Sequence, residues 1–156
     1  MAKRNTLMAA NLQQSGPHLS TMTQSMATQT RMKRILLVDN QAHVLRVMKL
    51  SLDRNGYEVD TALSGDVALR MLRETRYDVM IVENTLAKMN GQQLIETVSH
   101  QFRSTAPAMF LVTNTGANEL EDWSASQERT ECVEKPISLR YLVGRLNELF
   151  GKYDYD

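Results

Sequence analysis

The chain has 156 residues, room for one domain with an arm and not for two full domains. Hydrophobic residues make up 42% and charged residues 23%, near globular averages, which excludes wholesale disorder. Lys plus Arg and Asp plus Glu each number 18 and Cys132 is the single cysteine; this argues against a uniformly basic nucleic-acid binder and excludes an internal disulfide framework or a zinc site of several thiolates.

The zero balance hides an asymmetry. Residues 1–34 carry Lys3, Arg4, Arg31, Lys33 and Arg34 and no acid, leaving 13 basic and 18 acidic residues to the remainder. Residues 1–31 are rich in Ser, Thr, Gln, Asn and Met and are interrupted by Gly16-Pro17. Such a segment buries too little surface to offset the entropy of ordering it, so residues 1–33 are expected to form a flexible basic arm. Its role stays open between a spacer and a docking segment, and Met32 is an alternative start. The opening residues make a poor secretory signal, and no apolar run approaches the ~20 residues of a membrane span. A soluble, cytoplasmic protein is expected.

From Arg34 the pattern changes. Ile35-Leu36-Leu37-Val38 reads as a strand covered on both faces. Residues 41–55 place Val44, Leu45, Met48 and Leu52 on one helical stripe, with Gly56 as the stop. Tyr57 to Ala62 alternates as a strand, and Ser64 caps a helix reaching about Glu74. Val79 to Val82 is a second buried strand, followed by the stripe Leu94, Ile95, Val98 and Phe102. Met109 to Val112 is the next strand, entered through Pro107. The section from Asn114 to Thr130 is the weakest, with Leu120 and Trp123 as its strong apolar anchors. A short strand at Cys132-Val133 and a helix from Ser138, carrying Leu139, Leu142, Val143, Leu146, Leu149 and Phe150, complete the pattern before Gly151.

Five strands alternating with five helices predict an α/β fold, a doubly wound five-stranded parallel sheet with helices on both faces. The domain is expected over residues 34–151, with a short tail at 152–156 that leaves no room for an output domain. In such a fold the functional crevice lies beyond the carboxyl ends of the strands. Those ends carry Asp39-Asn40, Glu83, Thr113-Asn114 and Lys135-Pro136. Two carboxylates, a carboxamide, a hydroxyl and an ammonium are therefore expected to converge.

In this order the strand ends resemble the receiver domain of two-component response regulators, a flavodoxin-like fold. The resemblance rests on Leu37-Val38-Asp39, the run Val82 to Gly91 (V-E-N-T-L-A-K-M-N-G), Thr113, and Glu134-Lys135-Pro136-Ile137. It implies that Asp39 and Asn40 stand where an acidic pair holds Mg²⁺, and that Glu83 stands at the phosphoacceptor. Thr113 would be the switch hydroxyl, Lys135 the phosphate-binding lysine before a cis Pro136, and the Thr85 carbonyl the remaining metal ligand.

Three positions depart from that pattern. Glu83 replaces an aspartate and carries its carboxylate about 1.5 Å further out, where in-line phosphotransfer tolerates about half an ångström. Asn40 removes one acid from the metal pair, so only weak Mg²⁺ binding is expected and no resident cofactor. Cys132 replaces the aromatic residue that commonly reports pocket occupancy. Glu131 and Glu134 are expected to raise the pKa of its thiol, leaving it a small, unreactive hydrophobe.

A receiver-like domain that no longer accepts phosphate and signals by protein contact is therefore expected, not an enzyme. Glu83 either mimics a phosphoryl group toward Lys135 or merely satisfies it; both readings stand at this point. The face of the fourth helix, fifth strand and fifth helix carries partner contacts in the family, with Leu120, Trp123 and Tyr141 as its anchors here. Trp123 can alternatively pin its helix to the core. Partners would be a histidine kinase, a downstream effector or a second copy of the chain, with no membrane or nucleic acid for the domain.

Two alternatives remain. One is a Mg²⁺-dependent receiver with residual phosphoacceptor activity, kept alive by Asp39, Thr113 and Lys135. The other is a small-ligand module, since the run Thr113 to Asn118 is similar to the phosphate-cradling loop of flavodoxins, although it follows the fourth strand here rather than the first. His18, His43 and His100 show no metal-ligand spacing.

Overall fold

The computed structural model describes residues 31–114 and 116–151. The chain divides into units at Met32–Lys33, and the description is of the second. All but the last residues of the expected arm, and the whole of the expected tail, lie outside the described residues.

Strand β1 (Arg34–Val38) opens the domain and is buried from Ile35 onward. Helix α1 (Ala42–Arg54) follows, then β2 (Glu58–Ala62), α2 (Gly65–Glu74) and β3 (Val79–Glu83), whose five residues are all buried. Helix α3 (Gly91–Phe102), β4 (Ala108–Thr113), α4 (Glu121–Ser126), β5 (Thr130–Glu134) and α5 (Leu139–Leu149) complete the alternation. Single 3-10 turns at Arg103–Thr105 and Ala117–Leu120 precede β4 and α4. The strands form one parallel sheet in the order β2-β1-β3-β4-β5. This is the flavodoxin-like order, with its switch point between β1 and β3.

Alternation along the strands builds two cores. Leu36, Val38, Met80, Val82, Met109 and Leu111 face one layer and meet Ala68, Leu72, Leu94, Ile95 and Val98 from α2 and α3. Ile35, Leu37, Val79, Ile81, Phe110 and Val112 face the other and meet Leu45, Leu52, Leu142 and Leu146 from α1 and α5. A strand read as wholly apolar is thus one that feeds both layers.

Helix starts follow side-chain chemistry. The Ser64 hydroxyl accepts the Val67 N–H at 3.3 Å, and the Ser138 hydroxyl accepts the Tyr141 N–H at 3.2 Å. Asn90 and Gln93 form a reciprocal capping box on α3. Gly56, at φ 86°, lets the chain turn out of α1.

Two elements differ from expectation. Between β4 and β5 the helical part shrinks to a 3-10 turn at Ala117–Leu120 and the six residues of α4, where Leu120 is buried and Trp123 is partly buried on the core. Strand β5 runs from Thr130 rather than Cys132, since its backbone pairs with β4 from Met109 onward whatever its side chains are. It is an edge strand in which Val133 alone is fully buried.

Candidate functional site

Parallel register brings the carboxyl ends of β1, β3, β4 and β5 to one edge. Asp39 follows β1 and is 9% exposed; Glu83 ends β3 at 4% and Thr113 ends β4 at 2%. These three are the buried polar residues of the described chain. Lys135 follows β5, and its N–H donates to the Thr113 carbonyl at 2.9 Å, which holds the loop of the lysine against β4. The Lys135–Pro136 peptide is cis.

The central contact is an ion pair. Lys135 Nζ lies 2.6 Å from Glu83 Oε2. That oxygen meets the ammonium off the line of a hydrogen bond and accepts no other. Glu83 Oε1 accepts the Thr85 N–H at 3.2 Å. The carboxylate therefore lies across the crevice floor with one oxygen on the loop backbone and one on the lysine. Lys135, with its side chain 32% exposed, closes the pair from the solvent side.

Asp39 is turned toward its own backbone, where Oδ1 accepts the Gln41 N–H at 2.9 Å ahead of α1. Asn40 is exposed. The buried site thus brings together Asp39, Glu83, Thr113 and Lys135, while Asn40 and Thr85 stand at its exposed rim. The cavity that touches both Asp39 and Glu83 amounts to about 10 Å³. It is lined mainly by Leu37, Leu45, Met48, Ile81 and Ile137 and lies within the apolar layer beneath the two carboxylates. Thr115 of the flavodoxin-like run lies outside the described residues.

One contributor has no signal in the sequence beyond a turn-forming residue. The Asn84 carboxamide accepts the Gln92 N–H at 3.2 Å, and its carbonyl accepts the Gly91 N–H at 3.0 Å. These bonds fold the loop after Glu83 back onto α3. The approach needs a glycine at 91, where a Cβ would lie 2.6 Å from Leu111 Cδ1 and 2.8 Å from the Glu83 carbonyl oxygen.

Cys132 is half-buried against the α2–α3 core. Burial is the main cause that pushes its thiol pKa up, with a hydrogen bond to Ser124 opposing and the charge of Glu131 adding to it. The thiol is raised, as expected, but desolvation comes first and Glu131, not Glu134, is the acid that contributes.

The expected contact face changes membership. Leu120 is 9% exposed and belongs to the core, because the 3-10 turn that carries it folds inward. Trp123 packs on the same core and donates its indole N–H to Glu96 Oε1 at 2.8 Å, so it pins α4 to α3. Tyr141 is 50% exposed, its hydroxyl donating to Glu131 Oε1 at 3.0 Å.

Comparison with known proteins gives the same outline. The family model for the response regulator receiver domain matches residues 35–147. The transcriptional regulatory protein ResD of Bacillus subtilis is 26% identical over 124 residues, covering 80% of this chain and 50% of that protein. The regulatory protein VanRB of Enterococcus faecalis is 29% identical over 119 residues, 76% of this chain and 53% of that one. The chain therefore spans about half the length of these relatives. Among solved structures, the chemotaxis response regulator CheY4 of Vibrio cholerae has the same fold, with a TM-score of 0.69 at 24% identity over 76% of this chain and 99% of that one.

Proposed function

The chain belongs to the response regulator receiver domain family of two-component signalling, and from that premise we propose that it is a pseudo-receiver. It takes no phosphoryl group at Glu83 and transmits by contact with other signalling proteins, such as a histidine kinase or a downstream effector. The observation that carries this reading is the Glu83–Lys135 ion pair at 2.6 Å, buried at its carboxylate end.

Phosphotransfer needs an acceptor oxygen free to attack in line and a cation to neutralise the transferring group. Here Lys135 draws one Glu83 oxygen and the Thr85 amide holds the other. The carboxylate already occupies the lysine on which a phosphoryl oxygen would rest. The residues present also do not fit a resident Mg²⁺. A hard divalent cation takes carboxylate oxygens in near-octahedral array. Glu83 is engaged by Lys135 and Thr85, Asp39 Oδ1 by Gln41, and Asn40 offers no charge.

Incubation of the chain with acetyl phosphate and Mg²⁺, followed by intact-mass measurement, tests this. No added phosphoryl mass is expected, against clear labelling of the Glu83→Asp/Asn40→Asp variant. Stoichiometric labelling of the unaltered chain would overturn the reading.

A further inference from the structure

At the opposite edge of the sheet the chain leaves far more space. A cavity of about 550 Å³ opens at the amino ends of β3, β4 and β5, within the size range of small-molecule sites. Tyr77, Pro107, Leu149 and Phe150 supply apolar walls, and Arg76, Asp78, Arg129, Glu131 and Arg145 supply its charges.

The polar groups differ in what they already hold. Asp78 Oδ2 accepts the Arg34 N–H at 2.8 Å. Glu131 is bound by the Arg145 guanidinium at 2.8 to 3.2 Å and by the Tyr141 hydroxyl, and Arg145 also meets Glu148. Both acids and one arginine are thus engaged. Arg129 reaches the Ala106 carbonyl through Nη1 at 3.3 Å, and its other donors make no protein bond among the described residues. Nothing among the described residues pairs with Arg76. The hydrogen-bonding capacity left at the cavity is therefore cationic and bidentate in shape.

Arg129 carries a second sign. Its φ is 55°, a left-handed conformation that costs a non-glycine residue about 1–2 kcal/mol. The domain holds this residue strained immediately before β5, with its guanidinium at the cavity. Strain of this kind clusters where ligands are bound.

We propose that this cavity is a binding site for a small organic anion, a carboxylate carried on a flat apolar ring system. Arg76 and Arg129 clamp the carboxylate, and the aromatic and aliphatic walls cover the ring. The site is separate from the crevice at Glu83 and does not depend on how that crevice is read. It adjoins the Glu131–Arg145 pair that holds exposed Tyr141.

The test uses the whole chain, ¹⁵N-labelled, titrated with 2-naphthoate and separately with neutral 2-naphthamide. Saturable amide shifts are expected at Tyr77, Ala108 and Thr130 and not at Asp39 or Glu83, with the amide binding about tenfold more weakly or worse. Arg76→Gln with Arg129→Gly removes both guanidiniums, and the contact Arg129 loses with the Ala106 carbonyl is offset by a glycine that takes the positive φ without strain, so the fold is kept. This pair is expected to weaken naphthoate by about tenfold or more without lowering the melting temperature. Equal binding of acid and amide, undiminished binding by the double variant, or no saturable shift at the lining residues would overturn the proposal.

Discussion

One methylene gives Glu83 its character. An aspartate at the end of β3 would hold its carboxylate nearer the strand; the glutamate reaches across to Lys135 at 2.6 Å. With the carboxylate 96% buried, this contact is what makes the charge tolerable, because an ionised group without a partner is costly there. Lys135→Ala is therefore expected to lower unfolding stability by about 1–3 kcal/mol, the range for stranding a buried acceptor. The loss is held to that range because water reaches the lysine end. Adding Glu83→Gln should recover part of the loss, since a neutral amide has less hydration to regain. Urea denaturation of the three chains checks this, and equal stability of Lys135→Ala and the parent would contradict it.

The same residue scale shows what was legible. Glu83, Asp39, Thr113 and Lys135 could be found because strand ends are marked by the change from apolar to polar residues, and parallel order fixes which ends meet. Asn84 could not, because a loop carboxamide is read only once its partner Gln92 is known. Leu120 misled for a related reason: an apolar residue in a polar stretch looks like surface bait until the turn that carries it is seen to face inward.

At the scale of elements, periodic burial decided which segments could be read. Helices α1, α2, α3 and α5 each bury a stripe, and their starts have a cap, a capping box or an Asx contact. Helix α4 has six residues and none of them fully buried, so neither periodicity nor capping announces it. The sequence marks only Cys132-Val133 of β5, because an edge strand needs apolar residues on little of its length, while backbone pairing to β4 sets its true extent. Helix α5 carries one local weakness. Gly144 lies mid-helix, and a Cβ there would meet nothing within 4 Å. Gly144→Ala is expected to raise stability by about 0.5–1 kcal/mol through helix propensity and a less flexible unfolded chain. A thermal melt checks it, and a lowered midpoint would contradict the open surroundings of that position.

For the molecule as a whole, the two edges of the sheet differ in what they present. At the carboxyl end Glu83 meets Lys135 in an ion pair, while the amino end opens a cavity of about 550 Å³. On the pseudo-receiver reading proposed above, the tied-down carboxylate of Glu83 makes a cation and a phosphoryl donor unnecessary. The same reading leaves the protein's surfaces as its means of communication, including the α5 face with Tyr141, Glu131 and Arg145.

The most direct measurement is an NMR titration of the labelled chain with Mg²⁺ and beryllofluoride, a phosphoryl mimic, beside the Glu83→Asp/Asn40→Asp variant. The account predicts no saturable shift at Asp39, Glu83, Thr113 or Lys135 in the parent, and shifts at those positions in the variant. Saturable shifts at the same residues in the parent would contradict it.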